Sequence, residues 1–139
     1  MMAMVLLDTC AAIWIGNRES IAPKALQAIR TAARTAGILV SAVTGWEIGL
    51  ATTRPRNPLV LLPTAQLWLV DLLTRPGFRT VHLEAEVALS ASYLPGSFHR
   101  DPADRLLIAT ARKLGAPLVT RDRRILDYAA QGHVDAIPC

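Results

Sequence analysis

The sequence predicts an α/β fold, with a parallel sheet covered by helices on both faces, in a single domain over residues 1–139. Two observations predict it. Five short apolar runs of strand length alternate with stretches that carry helical periodicity or helix-end signals. The chain also has 139 residues, 52% hydrophobic and 19% charged, which suits one packed core, and no repeat or linker divides it.

The first strand is predicted over residues 4–7, an apolar run that ends at Asp8. Residues 22–36 are predicted to be helical, because apolar residues recur at helical spacing. Pro23 suits the first turn of this helix, and Gly37 can end it.

The middle of the chain begins with a second apolar strand over residues 38–40. Ser41 is a favourable N-cap for a helix over residues 42–51. The following stretch, TTRPRNP, contains two prolines and is predicted to be a loop. Residues 63–73 are predicted to form the next helix, which ends before a Pro-Gly pair.

A third strand is predicted over residues 79–83, followed by a helix over residues 84–93. The next helix is predicted to begin at Pro102, which suits the first helical position, and to end at Gly115. Asp101 is a favourable N-cap for it. The remaining elements are a strand over residues 118–120, a helix over 123–128 and a strand over 134–137.

Acidic residues stand where such a sheet binds ligands, at the carboxyl ends of its strands. Asp8 follows the first strand and Asp122 follows the fourth, while Glu47 and Asp104 lie in helices next to the second and fourth strands. Clustered carboxylates repel one another unless a cation joins them, and an all-oxygen set favours Mg²⁺ or Mn²⁺ over zinc. Because such a metal can activate water against a phosphate, the cluster predicts a phosphodiesterase.

Each acid also has a structural explanation. Asp104 could complement its helix dipole, Asp122 could be a turn residue, and Glu47 could be an exposed helical acid. Asp101 is interpreted first as a helix cap that pairs with Arg105 four residues later. The metal-site prediction therefore depends on the four acids in combination.

The combination resembles the PIN-domain family, and within it the VapC toxins, through four blocks in order: LLDTC, SAVTGWEIGL, HRDPADRLLIATA and LVTRDRRI. The resemblance implies a three-layer α/β/α sandwich with a five-stranded parallel sheet. It implies an endoribonuclease, the toxin of a type II toxin–antitoxin pair, that depends on Mg²⁺ (or Mn²⁺). The implied metal-binding and catalytic residues are Asp8, Glu47, Asp104 and Asp122, with Thr120 and Asp101 in support. The family's usual aromatic residue before the D-R pair is Ala103 here, a departure that concerns local packing.

Charge and hydropathy predict the partners. The formal charge is +4, and thirteen of the fifteen basic residues are Arg, which suits phosphate recognition. Arg105 and Arg121 flank the acids and are predicted to bind the RNA substrate. Mean hydropathy is +0.31, yet no run reaches membrane-spanning length and no signal peptide is recognised, so we expect a cytoplasmic protein. The surplus apolar surface predicts that the protein forms a homodimer or binds another protein. The resemblance implies that this other protein is a VapB-like antitoxin.

This apolar surface is expected in NPLVLLPTAQLWLVDLL, residues 57–73. One helix buries a single stripe, so part of the segment should stay exposed and, with the helix over residues 42–51, form a groove for a partner helix. An arginine of that partner would compete with the metal among the acids.

Other classes fit less well. A haloacid-dehalogenase-like phosphatase needs a second Asp where Cys10 stands, and a receiver module needs a late Lys and an Asp at the end of its central strand. An inactive PIN-like module that binds RNA or another partner remains the alternative. For the remaining candidates we expect a structural role. His99 is predicted to be a loop residue, and Cys10 and Cys139 are predicted to be free thiols. The three tryptophans are predicted to lie in the core or in an interface; they are Trp14, Trp46 and Trp68.

Overall fold

The computed structural model describes residues 3–139 and contains, within them, one five-stranded sheet. Its strands are β1 (Met4–Leu7), β2 (Gly37–Ser41), β3 (Phe78–Val81), β4 (Leu118–Thr120) and β5 (Ala136–Pro138). Every neighbouring pair is parallel, and the order is β3-β2-β1-β4-β5. The first strand is therefore central, with β2 and β4 on either side of it.

Helices connect the strands and cover both faces of the sheet. In the described part of the chain these are α1 (Thr9–Gly16), α2 (Pro23–Ala33), α3 (Ala42–Thr53), α4 (Ala65–Leu73), α5 (Ala85–Ser90), α6 (Pro102–Leu114) and α7 (Arg123–Ala130), with a 3-10 turn over Ala91–Tyr93. None of them is long and apolar enough to cross a membrane.

The core lies in two layers, one on each side of the sheet. Along β1, Val5 and Leu7 point into a cluster with α1, α2 and α4, whereas Leu6 points into a second cluster with α6 and α7. This alternation is what a strand buried on both faces requires. The predicted three-layer α/β/α sandwich with a five-stranded parallel sheet is confirmed. Ala103 is buried in the second cluster.

Several helix ends follow the signals in the sequence. Ser41 caps α3 by accepting a hydrogen bond from the Val43 amide. Asp101 caps α6 in the same way, through the Asp104 amide at 3.1 Å. Gly115 ends α6 with φ of 64°, the left-handed conformation that glycine adopts without strain.

The sequence prediction missed α1 and misplaced some boundaries. Helix α1, TCAAIWIG, is apolar on all sides, so it carries no amphipathic periodicity to reveal it. The helix predicted from residue 63 begins at Ala65, because Thr64 is its N-cap. The helix predicted to residue 36 ends at Ala33, the third strand ends at Val81, and the fifth strand begins at Ala136.

Helix α1 is held against α4 by a close contact. Gly16 lies under the indole of Trp68, where an added Cβ would stand 2.2 Å from a ring carbon. The Trp68 ring nitrogen donates a hydrogen bond of 2.9 Å to the Asn17 side chain, just after α1. Trp68 therefore fixes the position of the helix whose first turn follows Asp8.

Candidate active site

Four acidic side chains line one pocket of about 290 Å³ beyond the carboxyl ends of β1 and β4. They are Asp8, Glu47, Asp104 and Asp122. We call the pocket that they line the acidic pocket. Asp8 follows β1, Asp122 follows β4, Glu47 lies in α3 and Asp104 lies in the first turn of α6. The central place of β1 beside β4 is what brings acids from distant parts of the sequence together.

Asp8 is buried and serves as the N-cap of α1. Its Oδ1 accepts a hydrogen bond of 2.7 Å from the Ala11 amide. Burial raises the pKa of the Asp8 carboxyl, and the nearby Asp122 charge adds to the rise, while hydrogen bonds from Thr120 and Ala11 oppose it. A carboxyl in this position is costly to ionise without a cation nearby.

Asp122 is the N-cap of α7 and is held by Arg124. The Arg124 amide donates to its Oδ1 at 2.8 Å, and the guanidinium Nη2 lies 3.1 Å from its Oδ2. Burial alone would raise the Asp122 pKa, but these bonds lower it below its usual value. Thr120, fully buried, accepts a hydrogen bond of 3.0 Å from the Asp122 amide and also bonds the Asp8 side chain, so it joins the Asp8 carboxylate to the backbone at Asp122.

Glu47 is positioned by two threonine hydroxyls. The Thr9 hydroxyl donates a hydrogen bond to Glu47 Oε1, and the Thr44 hydroxyl oxygen lies 3.1 Å from that of Thr9. Because Thr9 has one hydroxyl proton and gives it to Glu47, Thr44 must be the donor in the second bond. Burial raises the Glu47 pKa, and Asp101 and Asp8 raise it further against the Thr9 bond.

Asp104 has the largest perturbation of the four. Burial and then the charges of Asp101, Asp122 and Glu47 raise the pKa of its carboxyl to about 7, with only Arg124 opposing them. His99 Nε2 lies 3.2 Å from Asp104 Oδ2, but this buried nitrogen has no partner with good hydrogen-bond geometry. His99 Nδ1 accepts the Asp101 amide proton at 3.1 Å, so a neutral ring carries its own proton on the Nε2 that faces Asp104. The loop position predicted for His99 is confirmed, and the loop places the ring against the site.

The donor set has the chemistry of a hard-cation site. Oxygen ligands without Cys or His donors, partly desolvated and mutually repelling, suit Mg²⁺ or Mn²⁺. As placed, however, no three His, Cys, Asp or Glu side chains within residues 3–139 form a group ready to hold a metal. In this arrangement Asp8 is bonded to the Ala11 amide, Glu47 to Thr9 and Asp122 to Arg124. Asp104 lies 3.2 Å from His99 Nε2 and 3.6 Å from Arg124 Nη2.

Three of the four predicted supporting and substrate-binding residues, Thr120, Asp101 and Arg105, lie outside the pocket lining. Arg105 does not reach the acids, because its guanidinium donates to the backbone carbonyls of Ala91, Phe98 and His99 at 2.9 to 3.1 Å. The predicted pairing of Asp101 with Arg105 is therefore wrong. Asp101 caps α6 and acts on the pocket through its charge alone.

The pocket lining also contains one residue that the sequence predicted and three that it did not. Arg121 does line it, as expected for a substrate contact. Thr9, Cys10 and Trp14 line it as well, all from α1, the helix that the sequence prediction missed. Had α1 been recognised, its helical spacing would have placed these residues near Asp8. Trp14, interpreted as a core or interface residue, is partly buried against the core cluster and also lines the pocket wall.

We expect the metal-free protein to lose stability as the pH rises through about 7. Asp104 binds its proton more tightly in the folded chain, where its pKa is about 7, than in the unfolded chain, where it is about 4. Its contribution to the free energy of unfolding is therefore complete below about pH 4 and is lost as the pH rises through about 7. Urea denaturation in EDTA between about pH 5 and pH 8 measures this loss. Asp104→Asn should flatten the curve, and an equally steep decline in that variant would contradict the assignment.

Sequence comparison places the chain among known proteins. Residues 5–131 match the family model of the PIN domain. The chain is 38% identical to Ribonuclease VapC22 of Mycobacterium tuberculosis over 128 residues, which covers 91% of this chain and 93% of that relative.

Solved structures share the fold at low sequence identity. VapBC2 from Rickettsia felis, bound to a DNA fragment from its promoter, matches with a TM-score of 0.65 at 14% identity, covering 97% of this chain and 98% of that one. VapC20 of Mycobacterium tuberculosis, a toxin that cleaves the sarcin-ricin loop, matches with a TM-score of 0.59 at 20% identity, covering 94% and 97%.

Proposed function

The chain belongs to the PIN-domain family, and from this membership and its acidic pocket we propose that it is a metal-dependent endoribonuclease, the toxin of a VapBC-type toxin–antitoxin pair. The observation that carries the proposal is the convergence of Asp8, Glu47, Asp104 and Asp122 on one pocket. Similarity to Ribonuclease VapC22 over nine-tenths of the chain supports RNA as the substrate.

In this proposal the four acids hold Mg²⁺ or Mn²⁺. Bound there, the cation would supply an activated water and neutralise charge on the phosphodiester. The protein's part is to hold the carboxylates ready. The cap at the start of α1 fixes Asp8, the two threonine hydroxyls orient Glu47, and Thr120 joins Asp8 to the backbone at Asp122. Arg124 is bonded to Asp122 and lies 3.6 Å from Asp104, so it lies between these two carboxylates.

A cleavage assay with defined RNA tests the proposal. Purified protein should cut a structured RNA that contains an exposed loop when Mg²⁺ or Mn²⁺ is present, stop in EDTA, and leave duplex DNA of the same sequence intact. Sequencing of the cut ends should show a few internal positions, because a site on the phosphate takes its selectivity from access and shape. Undiminished cleavage in EDTA, or damage confined to DNA, would exclude the mechanism.

The antitoxin partner is proposed from an exposed apolar surface on α3, α4 and the segment between them. Helices α3 and α4 pack side by side, so apolar side chains that face solvent on both belong to one region. We call it the α3–α4 surface. Its exposed members are Trp46, Leu50, Val60, Leu62, Leu67 and Val70, each at least 50% exposed. The expectation that part of the segment 57–73 stays exposed is confirmed, and such a surface suits an amphipathic helix of a VapB-like partner.

We expect Leu67→Lys to abolish capture of the antitoxin encoded beside this gene. A charge on this apolar surface would be buried without a partner in the complex. The matched control is Leu89→Lys, at a leucine on α5 that is 64% exposed against 56% for Leu67, and this variant should still co-purify. Mass measurement and RNA cleavage with and without the neighbour's product give the result. A stable monomer whose activity is unaffected by that product would contradict the partner assignment.

A further inference from the structure

Arg121 and Trp14 form a stacked pair in the wall of the acidic pocket. The guanidinium carbon of Arg121 lies 3.8 Å from the centre of the Trp14 ring. Its Nη2 donates to the Ser20 carbonyl at 3.2 Å, which fixes the direction of the guanidinium edge. Trp14 is partly buried and packs against the core cluster that includes residues of α1, α2 and α4, which restricts its side chain. Arg121 is exposed and nevertheless held in one orientation.

The other cations near the acids are already engaged. Arg105 donates to three backbone carbonyls, and Arg124 is bonded to Asp122 through its side chain and its amide. Among the described residues, Arg121 is the only Lys or Arg that lines the acidic pocket. An arginine has five N–H donors in one plane, and the Ser20 carbonyl takes one of those on Arg121.

A flat guanidinium with one face on an indole presents its opposite face to solvent. Nucleobases stack on such planes when they are not paired in a helix, and the N–H edge binds phosphate oxygens. Holding the plane in advance reduces the entropy lost when a ligand binds. The position is next to Asp122, so a nucleotide bound here would lie directly beside the acids.

We propose that Arg121, stacked on Trp14, is a nucleotide-binding subsite that takes one unstacked nucleotide next to the phosphodiester to be cut. The base lies on the open face of the guanidinium, and the phosphate meets its pocket-side edge. This inference rests on the proposed ribonuclease function and names its substrate class as RNA with a single-stranded, accessible nucleotide.

The test measures binding without cleavage. The probes, in EDTA, are a fluorescent single-stranded RNA oligonucleotide, the same strand annealed to its complement, and inorganic tripolyphosphate as a polyanion without bases. Arg121→Lys keeps the charge and loses the plane, and Trp14→Leu keeps apolar volume and loses the aromatic support. Each should weaken single-strand binding by roughly tenfold, and Trp14→Leu, which keeps the guanidinium, should leave tripolyphosphate binding within about twofold. The matched control is Arg123→Lys, because Arg123 lies two residues after Arg121 and outside the pocket lining. This variant should change neither single-strand binding nor tripolyphosphate binding.

Kinetics with metal present adds a second measurement. Both variants should raise KM with a smaller change in kcat, because the contacts that they remove are already present in the enzyme–substrate complex before the transition state is reached. Single-strand affinity equal to wild type in Arg121→Lys, an exposed position where folding is not in question, would overturn the subsite even if RNA is cleaved. A wild-type protein without preference for single strands would also overturn it. Selective binding without cleavage would instead contradict the ribonuclease proposal and leave the subsite standing.

Discussion

Asp8→Asn is expected to reduce RNA cleavage by roughly a thousandfold, since a lost metal ligand removes several kcal/mol of transition-state stabilisation. Asn can still cap α1 through its side-chain oxygen, so the fold should be kept. Removal of a buried carboxylate whose pKa is raised by burial also relieves a cost of ionisation. We therefore expect the metal-free variant to melt at the same temperature as wild type or higher, while cleavage disappears.

The matched control is Asp127→Asn, an exposed acid on α7 that does not line the acidic pocket. It should cleave RNA at the wild-type rate. Calorimetric titration with Mn²⁺ in the absence of RNA separates metal binding from catalysis, and Asp8→Asn should bind Mn²⁺ much more weakly. Full activity in Asp8→Asn would remove the acidic pocket from the mechanism and favour a PIN-like module that binds RNA without cutting it.

Trp68→Ala is expected to lower the free energy of unfolding by about 3–5 kcal/mol, the usual cost of truncating a buried aromatic side chain. Trp68 is buried over Gly16, and its loss leaves a cavity between α1 and α4 and removes the hydrogen bond to Asn17. Trp46→Ala is the control, because that side chain is half exposed on α3, and it should cost less than about 1 kcal/mol. Denaturant titration of both variants gives the comparison, and equal losses would show that the α1–α4 contact contributes little.

The sequence alone predicted the sheet and the acids because these signals are local. Asp8 stands directly after an apolar strand, and Ser41 and Gly115 stand where a helix must begin or end, whatever the rest of the chain does. Convergence of the acids then followed from the rule that parallel strands end at one edge of the sheet.

What the sequence could not predict depends on contacts between distant segments. Arg105 lies in a motif beside the acids, yet its acceptors are carbonyls in the 3-10 turn and in the loop before α6. The hydroxyl chain from Thr44 through Thr9 to Glu47 joins two helices, one of which has no amphipathic pattern. Trp14 resembles a core residue in sequence, and only the crossing of α1 past β4 places it under Arg121.

The central position of β1 has a consequence for the timing of synthesis. A ribosome makes β1 more than 100 residues before β4, at about 5–20 residues per second. Until residues 118–122 have been added, β1 has only β2 beside it, and the acidic pocket lacks Asp122. A nascent chain therefore carries an incomplete centre while residues 8–121 are being made. The cleaving activity that we propose can arise only after Asp122 has been added and β4 has paired with β1, so this enzyme cannot act on RNA during the synthesis of its first four strands.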